Sequence, residues 1–460
     1  MSTPPLASGP EGPHTLRPLL GTVLDALDTG ARARGGPLPA GGPEAVATRL
    51  RDAVGEILPE QGDPRALHNL VRAFAEGAAD PAHPLCAAHL HCPPLAVATA
   101  ADLAASALNP SLDSWDQAPA ATELESIVTR TLARRAGATD ALVTTGGTES
   151  NQLALLLARE RHGGAVRLVH GANAHHSLPR AAWLLGLPAP VVVPAPGGTL
   201  DPDALDEALT GLPGPLLVAA TAGTTDAGRI DPLPEIAARC AAHGARLHVD
   251  AAYGGGLLFS DRHRARLTGL DAADTITLDL HKLGWQPVAA GFLAVRDVRD
   301  LAALRHHADY LNAPDDTEAG LPDLLGRSLR TTRRPDVLKV AVTLKTLGRS
   351  GLGALVDRVC DHARQFAALV DRHPDFELHA PPVISTVLFR PTGATDAVVA
   401  AVRRALLTDG SAVLGRARLD GRLWLKATLL NPATGSDDLA ALLHLAAASR
   451  ATLVEGHTPR

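Results

Sequence analysis

The sequence predicts an α/β protein. We expect a mostly parallel, seven-stranded central sheet, a smaller α+β C-terminal segment and a helical N-terminal segment. Three observations predict this. Seven short apolar runs recur between residues 99 and 298, and helical stretches separate many of them. Strand–helix alternation over that length means a largely parallel sheet between helical layers. The residues that follow those runs include Gly, His, Thr, Asp and Lys, and in such sheets ligands sit at the carboxyl ends of strands. After residue 298 the alternation stops.

The elements follow in order. Residues 1–45 are rich in Pro and Gly around one amphipathic stretch, 16–27. They predict an arm, part of it mobile or wrapped around a partner subunit. Helical spacing then runs over 43–78 through Val46, Leu50, Val54, Ile57 and Leu58, and on through Leu67, Leu70, Val71 and Phe74. HPLCAAHLHCPP (83–94) is punctuated by Pro and reads as a loop or extended linker. Strands are predicted at 141–144, 167–170, 191–193, 216–221, 246–250, 275–280 and 291–295, and helices at 149–161, 179–185, 202–209 and 232–243. Residues 301–312 read as helix and APDDTEAGLPD as a polar loop. Long helices follow at 336–347 and 352–370, then strands at 377–389, 412–414 and 423–428, and a closing helix at 437–448. The expected organisation is an N-terminal arm and helical segment (1–98), a large α/β domain (99–335) and a small C-terminal domain (336–460).

Bulk properties narrow the class. A chain of 460 residues with 46% hydrophobic residues and a mean hydropathy of +0.06 can build a large core in two or three structural units. The net charge of −6 is mild, and no basic tract suggests nucleic acid. No apolar run approaches the ~18–20 residues of a membrane span. The first residues lack the charged and apolar regions of a signal peptide. Cys86, Cys92, Cys240 and Cys360 have no metal-like spacing and are too scattered for a disulfide scaffold. The expectation is a cytoplasmic protein with no metal site.

Lysine carries the sharpest signal. Of 43 basic residues only four are Lys, at 282, 339, 345 and 426. Lys282 stands where an apolar run ends, in TLDLHKLGWQP. Arg cannot replace Lys as an amine that loses its proton and attacks a carbonyl, which makes Lys282 a candidate Schiff-base lysine for pyridoxal phosphate. An exposed Lys ending a strand is the plain alternative, and the rest of the chain opposes it. HVDAAYGG puts Asp250 at a strand end, where a carboxylate can pair with a protonated pyridine nitrogen, and Ala252 leaves room for a flat ring. TTGGTESN is a strand, a glycine turn and a helix start. There Gly147 permits close approach, and Thr148, a plausible N-cap, marks a helix terminus suited to phosphate. ANAHHSLPRAA offers His175, His176 and Ser177 after another strand, with one imidazole placed to stack on a ring. Thr224 and Thr225 follow a further strand, and His281 beside the lysine can donate to a phosphate. Each item alone also fits an ordinary turn, cap or surface residue; their joint order is the specific signal.

That order resembles the group II pyridoxal-phosphate-dependent amino acid decarboxylases from about residue 66 onward. LNPSLDSWDQAPAATELE, TGGTESN, DLHKLGWQP, HHADYLN, SLRTTRRPDVLK and LWLKATLLNP resemble most the bacterial branch acting on 2,4-diaminobutyrate, ornithine or lysine. The resemblance implies the aspartate-aminotransferase fold (fold type I) and a homodimer with the active site at the subunit interface. It implies Lys282 as the cofactor-bearing lysine, Asp250 as pyridinium partner and His175 as stacking and acid–base group. Ala252 would pack on the other ring face, Gly147, Thr148 and His281 would contact the phosphate, and Thr225 the cofactor rim.

The chain departs from the aromatic amino acid decarboxylases in two places. Leu324 stands where they carry a loop Tyr that helps protonate Cα, leaving His175 as the expected donor. His89, His91 and Cys92 replace Tyr, Pro and Thr in the substrate-carboxylate region. Asp113 and Asp116 flank Trp115 near the same pocket, and unpaired carboxylates there favour a substrate with a distal ammonium. The expected reaction is decarboxylation of a basic acyclic amino acid to an amine, serving secondary metabolism. An aminotransferase, a decarboxylation-coupled aldehyde synthase and a catalytically silent cofactor-binding paralogue remain alternatives. No GxGxxG opens a helix after a strand, which disfavours a dinucleotide enzyme.

Overall fold

The computed structural model describes residues 4–455. The chain divides into two units. One holds the residues up to Pro93, Asp361–Pro381 and the chain from Ser385 onward; the other is Pro94–Cys360 with Pro382–Ile384. The strands are β1 (Cys86–Ala87), β2 (Asp140–Thr144), β3 (Arg167–Gly171), β4 (Val191–Val193), β5 (Leu216–Thr221), β6 (Arg246–Ala251), β7 (Thr275–Asp279), β8 (Gly291–Val295), β9 (Phe376–Leu378), β10 (Thr386–Pro391), β11 (Val413–Leu419) and β12 (Arg422–Thr428).

The larger unit is built on a seven-stranded sheet of order β2-β8-β7-β6-β5-β3-β4. Pairings from β4 through β7 are parallel, and β8 alone runs antiparallel to its neighbours β2 and β7. The strand sequences explain this placement. All six residues of β5, LLVAAT, are buried, as an inner strand covered on both faces requires. The helix Gly147–Arg161 is buried along most of its length. Leu153 and Leu157 pack with Leu142, Leu293 and Val295, while Leu155 and Ala158 pack with Leu168, Leu178 and Leu217. This double contact fixes the N-terminus of the helix at the carboxyl end of β2.

The smaller unit carries a five-stranded sheet of order β1-β11-β12-β10-β9. Its core joins Phe366 and Val370 to Val387, Phe389, Leu414, Leu425 and Leu442. The helix Gly12–Arg34 meets Ala66–Gly77 so closely that a Cβ on Gly30 would lie 2.4 Å from the Arg72 carbonyl.

The seven central strands lie where the apolar runs predict them. Elsewhere the structure differs. The 83–94 stretch holds β1, which pairs in parallel with β11; two residues have no periodicity to detect. The expected 1–98 segment does not stand by itself. Its described residues up to Pro93 group with the C-terminal elements, with that pairing and the bond from Gly41 N–H to Thr408 O, 2.9 Å, among their contacts. The boundary expected at 335 falls instead at Cys360, inside the segment Val337–Arg372, where the two predicted helices run on with one break at Gly348 (φ 63°). The predicted strand 377–389 is two strands, since Pro381 and Pro382 lack the donors a ladder needs. APDDTEAGLPD contains the helix Pro314–Glu318, opened by Pro and acidic residues in its first turn.

Candidate active site

Because β2, β3, β5, β6 and β7 run in one direction, their carboxyl ends share one rim of the sheet. Asp250 is next to last in β6, in register with Thr221 of β5 and Thr277 of β7. Lys282 sits in the one-turn helix Leu280–Leu283 that follows β7. Gly146 and Gly147 follow β2, His175 follows β3 and Thr225 follows β5.

Asp250 is buried, 5% exposed, and its two oxygens are engaged separately. Oδ1 accepts from the backbone N–H of Ala252 at 3.1 Å and Oδ2 from Asn151 Nδ2 at 2.8 Å. Asn151 also donates to Ser177 Oγ at 2.8 Å and accepts from Thr277 Oγ1 at 2.7 Å and His248 Nε2 at 3.0 Å. Ser177 Oγ lies 2.7 Å from His175 Nδ1. Burial pushes the His175 imidazole below its ordinary range; His176, 4.1 Å away between ring centroids, and Lys282 add to this, while Asp250 and Asp279 oppose it. The neutral form of His175 is thereby favoured.

Around the lysine, Lys282 Nζ lies 2.9 Å from Asp279 Oδ2, and His281 Nε2 lies 3.5 Å from the same oxygen. His281 Nδ1 accepts from Ala290 N–H at 3.3 Å. Burial pushes the His281 imidazole down against the pull of Asp279.

The glycine turn forms a cradle. A Cβ on Gly147 would lie 3.1 Å from Ala252 Cβ and 3.2 Å from Asp279 Oδ2, and one on Gly146 3.0 Å from His281 Cε1. Gly146 has φ 155°, in the region that favours glycine. Asp279 Oδ1, buried at the cradle wall, has no hydrogen-bond partner among the described residues. An orphaned buried acceptor is an expected feature beside a ligand site. Thr148 is not the N-cap: Gly146 holds that position, and Glu149 reaches back to accept from Thr145 N at 2.6 Å. Thr148 is exposed in the first helical turn. A strand-end carboxylate, an amine, small residues and a helix N-terminus fit a phosphorylated aromatic aldehyde.

The remaining candidates differ in setting. Thr224 Oγ1 accepts from Arg229 N at 3.0 Å, whereas Thr225 is exposed. Asp113 is buried and accepts from Gln117 Nε2 at 2.7 Å, so the expectation of an unpaired carboxylate does not hold there. Asp116 is exposed, and Trp115 is 40% exposed. Leu324 packs against Leu112 and Ala118. His89, His91 and Cys92 belong to the smaller unit. There desolvation, Lys426, Arg403 and His91 push the His89 imidazole down, and Cys92 is buried.

Sequence reasoning missed Asn151, Asp279, His248 and Thr277 as members of this cluster. Asn151 and Asp279 stand inside the strings TGGTESN and TLDLHK. The partners of Asp279 are its near neighbours His281 and Lys282, whereas those of Asn151 come from other strands and from the segment after β3.

Fold and site together define a pyridoxal-phosphate enzyme of the aspartate-aminotransferase type. Residues 50–392 match the pyridoxal-dependent decarboxylase conserved domain. The L-2,4-diaminobutyrate decarboxylase of Rhizobium meliloti (strain 1021) is 42% identical over 411 residues, 84% of this chain and 83% of that one. The enzyme of the same name from Acinetobacter baumannii is 32% identical over 422 residues, 83% of each chain. Among solved structures, the glutamate decarboxylase domain of diaminobutyrate-pyruvate transaminase and L-2,4-diaminobutyrate decarboxylase from Vibrio parahaemolyticus has a TM-score of 0.86 at 32% identity, covering 97% of this chain and 98% of that one. The chain belongs to the pyridoxal-dependent decarboxylase family, and it is a carboxy-lyase that uses pyridoxal phosphate.

Proposed function

We propose that this enzyme removes the α-carboxylate of a basic acyclic L-amino acid, 2,4-diaminobutyrate ahead of ornithine and lysine, and releases the amine. The observation that carries this reading is the 42% identity, over 84% of the chain, to an enzyme named for that substrate. Asp116, an exposed carboxylate next to Trp115 in the chain, is the proposed partner for the distal ammonium. The working form is proposed to be a homodimer with its active site at the subunit interface.

In this reading Lys282 binds the cofactor and releases the product. Bound pyridoxal phosphate supplies the electron sink for the bond to the departing carboxylate. Asp250, held by two hydrogen bonds, would keep a proton on the pyridine nitrogen by its negative charge. Gly147, Thr148 and His281 would hold the phosphate, Thr225 would meet the cofactor rim and Ala252 would pack against one ring face. His175 would lie on the other face and would return a proton to the substrate carbon as the imidazolium, having first taken one up from the substrate's ammonium or from solvent.

The test is to incubate the cofactor-loaded enzyme with diaminobutyrate, ornithine, lysine, glutamate, aspartate, valine, histidine and aromatic amino acids, following products by mass spectrometry. We expect 1,3-diaminopropane from diaminobutyrate as the fastest product. A keto acid or aldehyde as main product, or an amine from an acidic or aromatic substrate, overturns the proposal. Asp116→Asn is expected to raise KM for the diamino substrate about 10-fold, equivalent to about 1.4 kcal/mol, with a smaller effect on kcat. Unchanged kinetics would remove Asp116 from the specificity argument.

A further inference from the structure

We propose that Asn151 and Ser177 are positioning residues that hold His175 in the tautomer with its proton on Nε2, using the Asp250 carboxylate as the fixed reference. This rests on the roles proposed above for Asp250 and His175.

Hydrogen-bond directions along the cluster follow from what each group can do. A carboxylate only accepts, so the Asn151 atom 2.8 Å from Asp250 Oδ2 is the amide nitrogen. The Asn151 carbonyl oxygen then faces Thr277 Oγ1 and His248 Nε2, and both must donate to it. His248 is wholly buried, and burial pushes its imidazole down to about 4, so it is neutral. With its proton on Nε2, its Nδ1 accepts from Thr275 Oγ1 at 2.9 Å. All four hydrogen-bonding positions of the Asn151 amide are thereby filled.

The second N–H of Asn151 points at Ser177 Oγ, 2.8 Å away. Having accepted that bond, the hydroxyl still carries its own proton, and His175 Nδ1 lies 2.7 Å from it. The backbone N–H of Ser177 reaches the same nitrogen at 3.3 Å. Nδ1 of His175 thus receives two donors and has no room for a proton. A neutral imidazole must then carry its proton on Nε2. Asn151, Ser177, His248 and Thr277 are each 1% exposed or less, so water does not compete for these bonds.

The consequence is functional. A neutral His175 with its proton on Nε2 presents a hydrogen-bond donor at that atom, whereas the other tautomer presents a lone pair there. The chain from Asp250 through Asn151 and Ser177 fixes both ring orientation and proton position. Partners that orient a reacting imidazole in this way typically matter by about 10–100-fold.

The test is long-range 15N–1H NMR on histidine-labelled holoenzyme, with the His175 signals identified by their loss in His175→Gln. We expect an unprotonated Nδ1 and a protonated Nε2 in the wild type. Ser177→Ala, which leaves only the longer backbone N–H bond on Nδ1, should weaken the preference to mixed tautomers and give a 10- to 100-fold lower kcat with KM within about 2-fold, and Ser177→Thr should restore both. A wild-type His175 protonated on Nδ1 overturns the proposal even when amine is formed. A proton on Nε2 supports it even when no substrate in the panel turns over. The wild-type spectrum decides should Ser177→Ala not fold. Ser177→Ala with wild-type tautomer and kcat also overturns it.

Discussion

Charge and nucleophilicity are separable at Lys282. Arg at this position keeps a cation within reach of Asp279, which now holds the amine at 2.9 Å. It cannot supply an unprotonated amine near neutral pH. Lys282→Arg is therefore expected to fold normally and to lose decarboxylation by about 10⁴-fold or more, the scale seen when a covalent catalyst is removed. Borohydride treatment followed by peptide mapping should find the cofactor on the Lys282 peptide of the wild type and on no peptide of the variant. Retained activity in the variant would remove Lys282 from catalysis. The lysine was legible because Lys is rare here and this one ends an apolar run. Asp250 was legible for the same positional reason. Asn151 was not: its partners Asp250, His248 and Thr277 lie on β6 and β7, with Ser177 beyond β3. Nothing local in TGGTESN distinguishes that amide from a solvated one. Asp113 shows the converse, because one oxygen of a carboxylate that the sequence suggested as unpaired accepts from Gln117, four residues on.

Elements hold these residues through a few close approaches that only glycine permits. The segment Gly254–Phe259 follows β6 and packs against the turn that carries Lys282. A Cβ on Gly256 would lie 2.3 Å from Leu283 Cβ and 2.4 Å from the Leu283 carbonyl. Since backbone cannot give way as a side-chain tip does, Gly256→Ala must push the Leu280–Leu283 turn outward. Overpacking of this kind costs about 1–3 kcal/mol. We expect urea unfolding to shift by that amount and cofactor loading to fall with it. Unchanged loading would mean that the turn does not depend on this contact. At this scale the central strands were legible because apolar runs buried on both faces give a strong signal. What lay outside the sequence was pairing: the β1–β11 bond joins residues more than three hundred positions apart, and two residues carry no period. The break at Gly348 sits between the two predicted helices, yet the sequence left open whether the chain turns there or continues.

Stability of the whole molecule should fall on mild acidification, and histidine sets the window. Burial pushes the imidazoles of His83, His89, His162, His175, His248 and His281 below their ordinary value of 6.5. In the unfolded chain these rings take up protons near pH 6.5, while in the folded chain they resist. The unfolded state therefore binds more protons below pH 6.5, and stability, full above that value, declines as pH falls. His248, wholly buried and pushed to about 4, contributes up to about 3 kcal/mol of this loss between pH 6.5 and 4. Asp250 raises the His248 value and so limits the effect. Asp231 acts with the opposite sign, because burial raises its carboxyl and the folded state then holds the proton more tightly. Asp261, Asp297 and Asp396, held below 3.8 by Arg partners and backbone N–H groups, lose their contribution only below about pH 4. The window of these three aspartates is thus separate from that of the histidines, whereas that of Asp231 opens upward from 3.8 toward it. Urea unfolding from pH 7 to 4.5 should show the decline, with a shallower slope in His248→Gln. Parallel curves for the two proteins would show that His248 titrates alike in folded and unfolded chains, and the buried network around Asn151 would then be open to water.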